Sequence, residues 1–357
     1  MERDKLEETL TEQIDHSSYH LFVWGTGNTA SLYLQGFSRL ENEGIVIEGY
    51  CDNNSEKWGT SFGGRKVYSP DEICDHDDAL ILIASPQPKV FKSISTQLDD
   101  MNMTYRHIDD YIFKTHRNEL LRVYDLLEDE RSREVYSELI KCRMEGIYPK
   151  AEMVDEGQYF PTVEFGTQDN RRVFVDCGAY VGDSIEKYIW KNEGCFEKIY
   201  AFEPDPGNLK ALNYRVERLK REWNLADDKI EVYPYGVSNE DSVRFVERYE
   251  ANNGFGSKLL DERTDKSEEC KIVSVDKVID REYTFLKADV ESYEYNMLLG
   301  AEYTIKRYMP KMAICIYHNA VDFYSIPLLI NSYSKDYKLS VRHYTDTVSD
   351  TVLYVYL

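Results

Sequence analysis

Two short runs carry the residues best suited to hold a small ligand. The first, Val175-Asp-Cys-Gly-Ala-Tyr-Val-Gly-Asp-Ser184, lies between a strand-like and a helix-like segment. Gly178 and Gly182 let the backbone turn tightly and approach a ligand with no Cβ in the way. Asp176 sets a carboxylate beside that turn, and Asp183 closes it. The second run, Ala201-Phe-Glu-Pro-Asp-Pro206, ends the next strand. Its Glu203 stands where an acid accepts hydrogen bonds from both hydroxyls of a ribose. A glycine turn followed by such an acid is the chemistry of a nucleoside site.

The elements that must position these residues follow from hydrophobic periodicity. Strands are expected at Arg172–Cys177, Lys198–Phe202, Lys229–Tyr235, Thr284–Ala288 and Lys311–Tyr317. Helices alternate with them at Ser184–Lys191, Pro206–Leu219, Glu294–Arg307 and Ala320–Tyr333. A long insert, Gly236–Glu282, holds strand-like pieces at Ser242–Val246 and Cys270–Val275. The last two strands, Tyr337–Tyr344 and Thr351–Leu357, must form a hairpin, because their link is too short for a parallel crossover. Residues 1–115 repeat the alternation: strands His20–Gly25, Ile45–Cys51 and Ala79–Ser85, helices Asn28–Leu40 and Pro88–Leu98, and a terminal short strand Tyr105–Phe113. Short buried strands alternating with helices imply parallel βαβ units, so the fold class is α/β with two Rossmann-like domains. Residues 116–170, with an amphipathic helix at Glu119–Met144 and then an irregular stretch, read as a helical connector to a domain at 171–357.

Bulk composition narrows the function. The 357 residues carry 43 basic and 65 acidic side chains, a formal charge of −22. Such a surface repels phosphate backbones and no basic patch offsets it, so no nucleic-acid partner is expected. Seven cysteines, an odd number with no CxxC pair, point to the cytoplasm. Cys177 and Cys315 lie in apolar runs, where a thiol behaves as a small hydrophobe. The start, MERDKLEETLTEQ, is charged and helical in character rather than a signal peptide. No apolar run approaches the roughly 20 residues of a membrane span. A homo-oligomer stays open.

A nicotinamide dinucleotide needs the same turn and acid, so other features must choose the cofactor. The spacing DxGxxxG is less tailored to a pyrophosphate than GxGxxG. Asp176 would suit a cationic amino-acid tail and repel a diphosphate. The terminal antiparallel hairpin is, by fold-level analogy, a mark of class I methyltransferases rather than dehydrogenases. Together these favour S-adenosylmethionine.

The motifs VFVDCGAYVGDS, IYAFEPDPGNLKAL, YGVSN, FLKADVESYE and AICIYH, in this order, resemble the FkbM-type methyltransferase family. The resemblance covers roughly residues 158–357, including the QYFP that precedes the first strand. It implies a class I methyltransferase sheet, S-adenosylmethionine as donor, and O-methylation, often of sugars or secondary metabolites. By position it implies that Asp176, Gly178 and Gly182 line the donor, that Glu203 holds the ribose, and that Gly236, Val237 and Ser238 lie near the adenine. One step departs from the family, which usually shows acid-Gly-Ala-Glu where this chain reads Glu291-Ser-Tyr-Glu294.

Methyl transfer from a sulfonium is an in-line displacement that needs a placed acceptor and a base. Asp289, Glu291 and Glu294 follow the fourth strand; His318, Asn319 and Asp322 follow the fifth. His318 is the preferred base, since its ordinary pKa lies near neutrality, although a structural histidine would look the same. Asp289 and Glu291 join His318 as catalytic candidates, and Glu291, Glu294 and Asp322 are candidates for holding an acceptor such as a glycan or small molecule. Glu294 equally suits a helix start. Asp289 with His318 and Asn319 resembles the layout of magnesium-dependent catechol O-methyltransferases, yet histidine is a poor ligand for a hard cation, and no metal is expected. Lys287 and Asp289 form a candidate ion pair.

In the first domain, Phe22-Val-Trp-Gly-Thr-Gly-Asn-Thr-Ala30 is a GxGxxA turn with Gly25 and Gly27, and Asp52 closes the following strand like an acid reading a ribose. The layout resembles small Rossmann-like domains of sugar-modifying enzymes, which bind a nucleotide-sugar or serve as scaffold. Three functions follow. The first is an O-methyltransferase acting on a sugar hydroxyl. The second is an NAD(P)-linked enzyme using the first domain. The third is a non-catalytic nucleotide-sugar binding or assembly protein.

Overall fold

The structure, a computed structural model, describes residues 2–11, 14, 19–76, 78–85, 87–161, 171–248, 257–260 and 263–357. The end of the expected connector (162–170) and parts of the insert (249–256, 261–262) lie outside the described residues. Two compact units emerge. The first comprises residues 1–154, 317–325 and 345–350; the second comprises 155–316, 326–344 and 351–357. The helices expected to connect two domains thus fall within the first unit.

The first unit begins with α1 (Glu2–Thr9), β1 (His20–Trp24), α2 (Asn28–Asn42) and β2 (Ile47–Cys51). A two-glycine turn, Gly63-Gly64, then joins β3 (Ser61–Phe62) to β4 (Arg65–Tyr68) in an antiparallel hairpin. α3 (Pro70–Cys74), β5 (Ala79–Ile83), α4 (Pro88–Asp100) and β6 (Thr104–His107) complete a sheet of order β3-β4-β2-β1-β5-β6. Its pairings are parallel except β3 with β4. Phe22, Trp24, Ile81, Ile83 and Leu98 form its core. The stretch 105–113 is not one strand. It turns helical at α5 (Ile108–Thr115) because the His107 ring accepts the Asp109 N–H at 3.2 Å, capping a helix rich in early acids.

The single helix expected over 119–144 is two, α6 (Arg117–Leu126) and α7 (Glu130–Glu145). Asp129 ends the run by accepting the Ser132 N–H at 2.9 Å, an N-cap inside an otherwise continuous apolar stripe. A buried polar cluster ties α7 to α2 and α5. Arg143 of α7 donates to Asp109 at 2.8 Å, to the Tyr33 hydroxyl at 3.2 Å and to the Tyr317 carbonyl at 2.6 Å.

The second unit contains β7 (Val173–Cys177), α8 (Asp183–Lys191), β8 (Lys198–Phe202), α9 (Pro206–Glu222) and β9 (Ile230–Tyr233). The expected third strand stops at Pro234, which has no N–H for a ladder, and β10 (Tyr235–Val237) joins another sheet. That sheet, of order β10-β13-β11-β12, uses β11 (Ser242–Arg248), β12 (Ser257–Leu260) and β13 (Glu268–Val273) of the insert. After α10 (Val275–Val278) and β14 (Phe285–Ala288), the expected helix over 294–307 is again two, α11 (Glu294–Gly300) and α12 (Glu302–Tyr308). They part at Gly300, where a Cβ would meet the Ser238 carbonyl at 2.0 Å. The chain closes with β15 (Lys311–Cys315), α13 (Asp322–Tyr333), β16 (Lys338–His343) and β17 (Thr351–Tyr356).

The main sheet runs β16-β17-β15-β14-β7-β8-β9, with β17 alone running antiparallel to its neighbours. The chain leaves β7 for β8 on one side and later returns at β14 on the other. This reversal opens a crevice at the carboxyl ends of β7 and β14. Beneath it, Phe174 stacks on Tyr188 and Phe285 at centroid distances of 4.6 and 5.1 Å, locking β7 to α8 and β14. Cys177 and Cys315 are fully buried in their strands, as expected of small hydrophobes. Among the described residues, no helix is long and apolar enough to cross a membrane.

Candidate nucleoside site

The glycine turn is built from β7 outward. The N–H groups of Gly178 and Ala179 both donate to the Phe202 carbonyl, at 3.0 and 2.9 Å, bending the chain over the end of β8. Gly178 takes φ +78°, and a Cβ there would sit 1.8 Å from the Asp289 carbonyl oxygen. Gly182 takes φ +83° as the N-cap of α8, with Leu212 2.8 Å from its absent Cβ. Both positions therefore require glycine, by backbone and by space. Asp183 sits in the first turn of α8, 3.8 Å from Lys187 and half-exposed.

Glu203 meets this turn from β8. One carboxylate oxygen accepts the Tyr180 N–H at 2.9 Å; the other accepts the Asp205 N–H at 2.8 Å. The side chain is buried, and burial pushes its pKa up to about 7 despite those bonds. Gly236 lies alongside, its Cβ position 3.8 Å from Pro204. Val237 and Ser238 are buried behind it, Ser238 donating its N–H to Val273 at 3.0 Å. Residues 236–238 thus lie beside the end of β8 that carries Glu203.

Asp176 does not face a ligand. It is fully buried, forms an ion pair with Lys287 at 3.2 Å and accepts the Ser184 hydroxyl. The expectation that it binds a cationic tail gives way to an internal role, because β7 and β14 set Asp176 and Lys287 directly opposite each other. Lys287 pairs there rather than with Asp289. Burial alone would lower the lysine pKa, but Asp176 and Asp289 outweigh it and hold the ammonium charged, donating to the Gly178 carbonyl at 2.6 Å. Asp289 accepts the Tyr159 hydroxyl at 2.7 Å, and the Tyr159 ring lies 5.1 Å from the Lys287 ammonium.

The departing Glu-Ser-Tyr-Glu step shows why a glycine suits it. Glu291 and Ser292 take φ +52° and +79°, left-handed backbone on two non-glycine residues in succession. Glu294 is fully buried and accepts the Val290 N–H at 2.7 Å, bracing this turn at the start of α11. His318 and Asp322 belong to the first unit. His318 is buried with its ring 4.1 Å from that of Tyr317. Asp322 forms a 2.5 Å ion pair with Arg39 and accepts from Asn319 at 2.7 Å, so an acceptor-holding role finds its oxygens engaged.

In the GxGxxA turn, Gly25 takes φ +110° while Gly27 has ordinary backbone with nothing within 4 Å of its Cβ position. Asp52 is not presented to a ribose. One oxygen accepts the Thr26 N–H at 3.1 Å, the Thr26 hydroxyl at 2.5 Å and the Lys57 ammonium at 2.9 Å.

Sequence reasoning missed Lys287 as the partner of Asp176, and also Ser184, Tyr159 and Tyr180. Opposite charges inside two buried strands, VFVDC and FLKA, were the available signal for the first pair. Tyr159 and Tyr180 carried none, since only tertiary contacts bring them to the site.

The parallel sheet with its antiparallel hairpin edge, and a glycine turn facing an acid at the switch point, define a Rossmann-like methyltransferase fold. Residues 176–339 match the family described as methyltransferase FkbM domain. Residues 17–108 match the family described as C2185-like, N-terminal. The crystal structure of methyltransferase FkbM from Methylobacillus flagellatus KT is similar at a TM-score of 0.56 and 18% identity, covering 99% of this chain and 97% of that one. An rRNA methylase from Streptococcus thermophilus aligns at a TM-score of 0.34 and 13% identity, covering 53% and 87%. No functionally curated protein matches the chain.

Proposed function

We propose that the second unit is an S-adenosylmethionine-dependent O-methyltransferase acting on a sugar hydroxyl of a glycan precursor or nucleotide-sugar. One observation carries the donor part: the buried Glu203 carboxylate at the switch point, pinned to the glycine turn through Tyr180. Each oxygen accepts one peptide N–H, one of them also meeting the Asn208 amide at a long 3.5 Å, which leaves acceptor capacity for ribose hydroxyls. The methyltransferase FkbM match supports methyl transfer, and the sugar acceptor rests on the family resemblance. The donor supplies a methyl group activated on a cationic sulfur. The chain's own tasks are to hold the nucleoside, align an acceptor hydroxyl and take its proton. Asp289 and Glu291, following β14, are the second unit's groups for the acceptor. His318 is proposed as the base on chain position, three residues beyond the end of β15.

Calorimetric titration tests the donor. S-adenosylmethionine binds and NADH does not, and Glu203→Ala removes the binding. NADH binding in its place would redirect the reading to a nicotinamide-linked enzyme. For the acceptor, labelled methyl uptake across a library of glycans and nucleotide-sugars identifies the class. His318→Gln then retains donor binding and loses transfer.

A further inference from the structure

The turn from Gly178 to Gly182 adopts left-handed backbone three times: at Gly178 (φ +78°), at Tyr180 (φ +49°) and at Gly182 (φ +83°). Glycine occupies two of these positions at no steric cost, whereas a tyrosine at the third is strained. Folding does not require that ring. Tyr180 is 38% exposed, and among the described residues its ring and hydroxyl have no hydrogen bond or ring contact. Its backbone is nevertheless held in place, because the Tyr180 N–H donates to the Glu203 carboxylate at 2.9 Å. The ring therefore projects from the peptide that grips the ribose-reading acid. Strain of this kind, retained beside a ligand site, points to use in binding.

We propose that Tyr180 is a specificity-determining residue that closes its ring over the ribose held by Glu203 and shields those hydrogen bonds from water. The proposal rests on the donor reading above. An amphipathic phenol suits the task, its flat face covering the sugar while its hydroxyl stays in solvent. Removing roughly 60 Å² of ring from water corresponds to about tenfold in affinity.

S-adenosylhomocysteine is the probe, titrated calorimetrically into the full chain and its variants. Tyr180→Ala and Tyr180→Gly each lose about tenfold in affinity, while Tyr180→Phe retains it. Chemical denaturation of the same samples separates ring from backbone: the glycine variant unfolds at higher denaturant than the alanine variant, because only alanine keeps the left-handed strain. In Tyr180→Trp, adding the probe changes the indole emission. Wild-type affinity in Tyr180→Gly, or a loss confined to Tyr180→Ala, overturns the proposal by assigning the effect to the backbone. Failure of the wild type to bind the probe overturns the donor reading itself. Binding that Glu203→Ala abolishes and Tyr180→Gly leaves intact sinks only the role of the ring.

Discussion

Glu203 combines burial with a task that needs its charge. With its pKa pushed up to about 7, part of the population is protonated at neutrality. A protonated carboxyl accepts poorly from two ribose hydroxyls, so donor affinity should fall as pH drops through about 7. Stability moves the other way. A raised acid binds its proton more tightly folded than unfolded, so this group's contribution to stability grows as pH falls toward the ordinary glutamate range and is lost on raising pH through about 7. Calorimetry across pH 5.5–8.5 should show this slope in the wild type and none in Glu203→Gln. At Ser292, strained backbone coincides with a buried hydroxyl that has no hydrogen bond among the described residues. Ser292→Gly should raise stability by about 1 kcal/mol, read as a shift in denaturant midpoint.

At the level of elements, the register of β7 against β14 builds the site floor by placing Asp176 opposite Lys287. Lys287→Met would leave a buried acid without its counter-charge and release the Gly178 carbonyl. A loss of roughly 3–5 kcal/mol is expected by denaturation, with donor binding lost alongside. Adding Asp176→Leu to that variant should recover much of the stability, since a matched apolar pair avoids the buried charge, without recovering donor affinity. In the first unit, the GxGxxA turn is stapled to β2 by Asp52 through Thr26 and Lys57. An acid so engaged favours a scaffold over a ribose reader. A thermal-shift titration with NADH should accordingly show no protection. A clear shift that Gly25→Val abolishes would restore the nucleotide reading of this turn.

On the scale of the whole chain, the division between units does not follow sequence order. Residues 317–325 belong to the first unit, where Arg143 donates to the Tyr317 carbonyl, Tyr136 donates to the Phe323 carbonyl at 3.0 Å and Arg39 pairs with Asp322. A fragment of residues 1–154 therefore lacks partners for two arginine contacts and for the Tyr136 hydroxyl. Expressed alone, it should unfold at lower denaturant than any transition of the full chain, followed by circular dichroism. Equal stability of the fragment would show that the segment adds nothing to that core.

Much of this was legible from local pattern. The α/β class, the order of strands and helices, the glycine turn and Glu203 follow from hydrophobic period and from backbone positions that only glycine fills cheaply, properties a single stretch of chain carries by itself. Capping and breaks were harder to read, as at Asp129 and Gly300, because one residue there overrides a continuous apolar stripe. Tertiary structure alone decided which acid keeps acceptor capacity for a ligand. Asp176 and Asp52 look in sequence like ligand-binding carboxylates, but strand register and loop closure gave each an internal cation or hydroxyl. Glu203, whose oxygens meet only peptide N–H groups and a distant amide, kept lone pairs to spare. Partner choice among buried charges depends on distances that chain order does not encode.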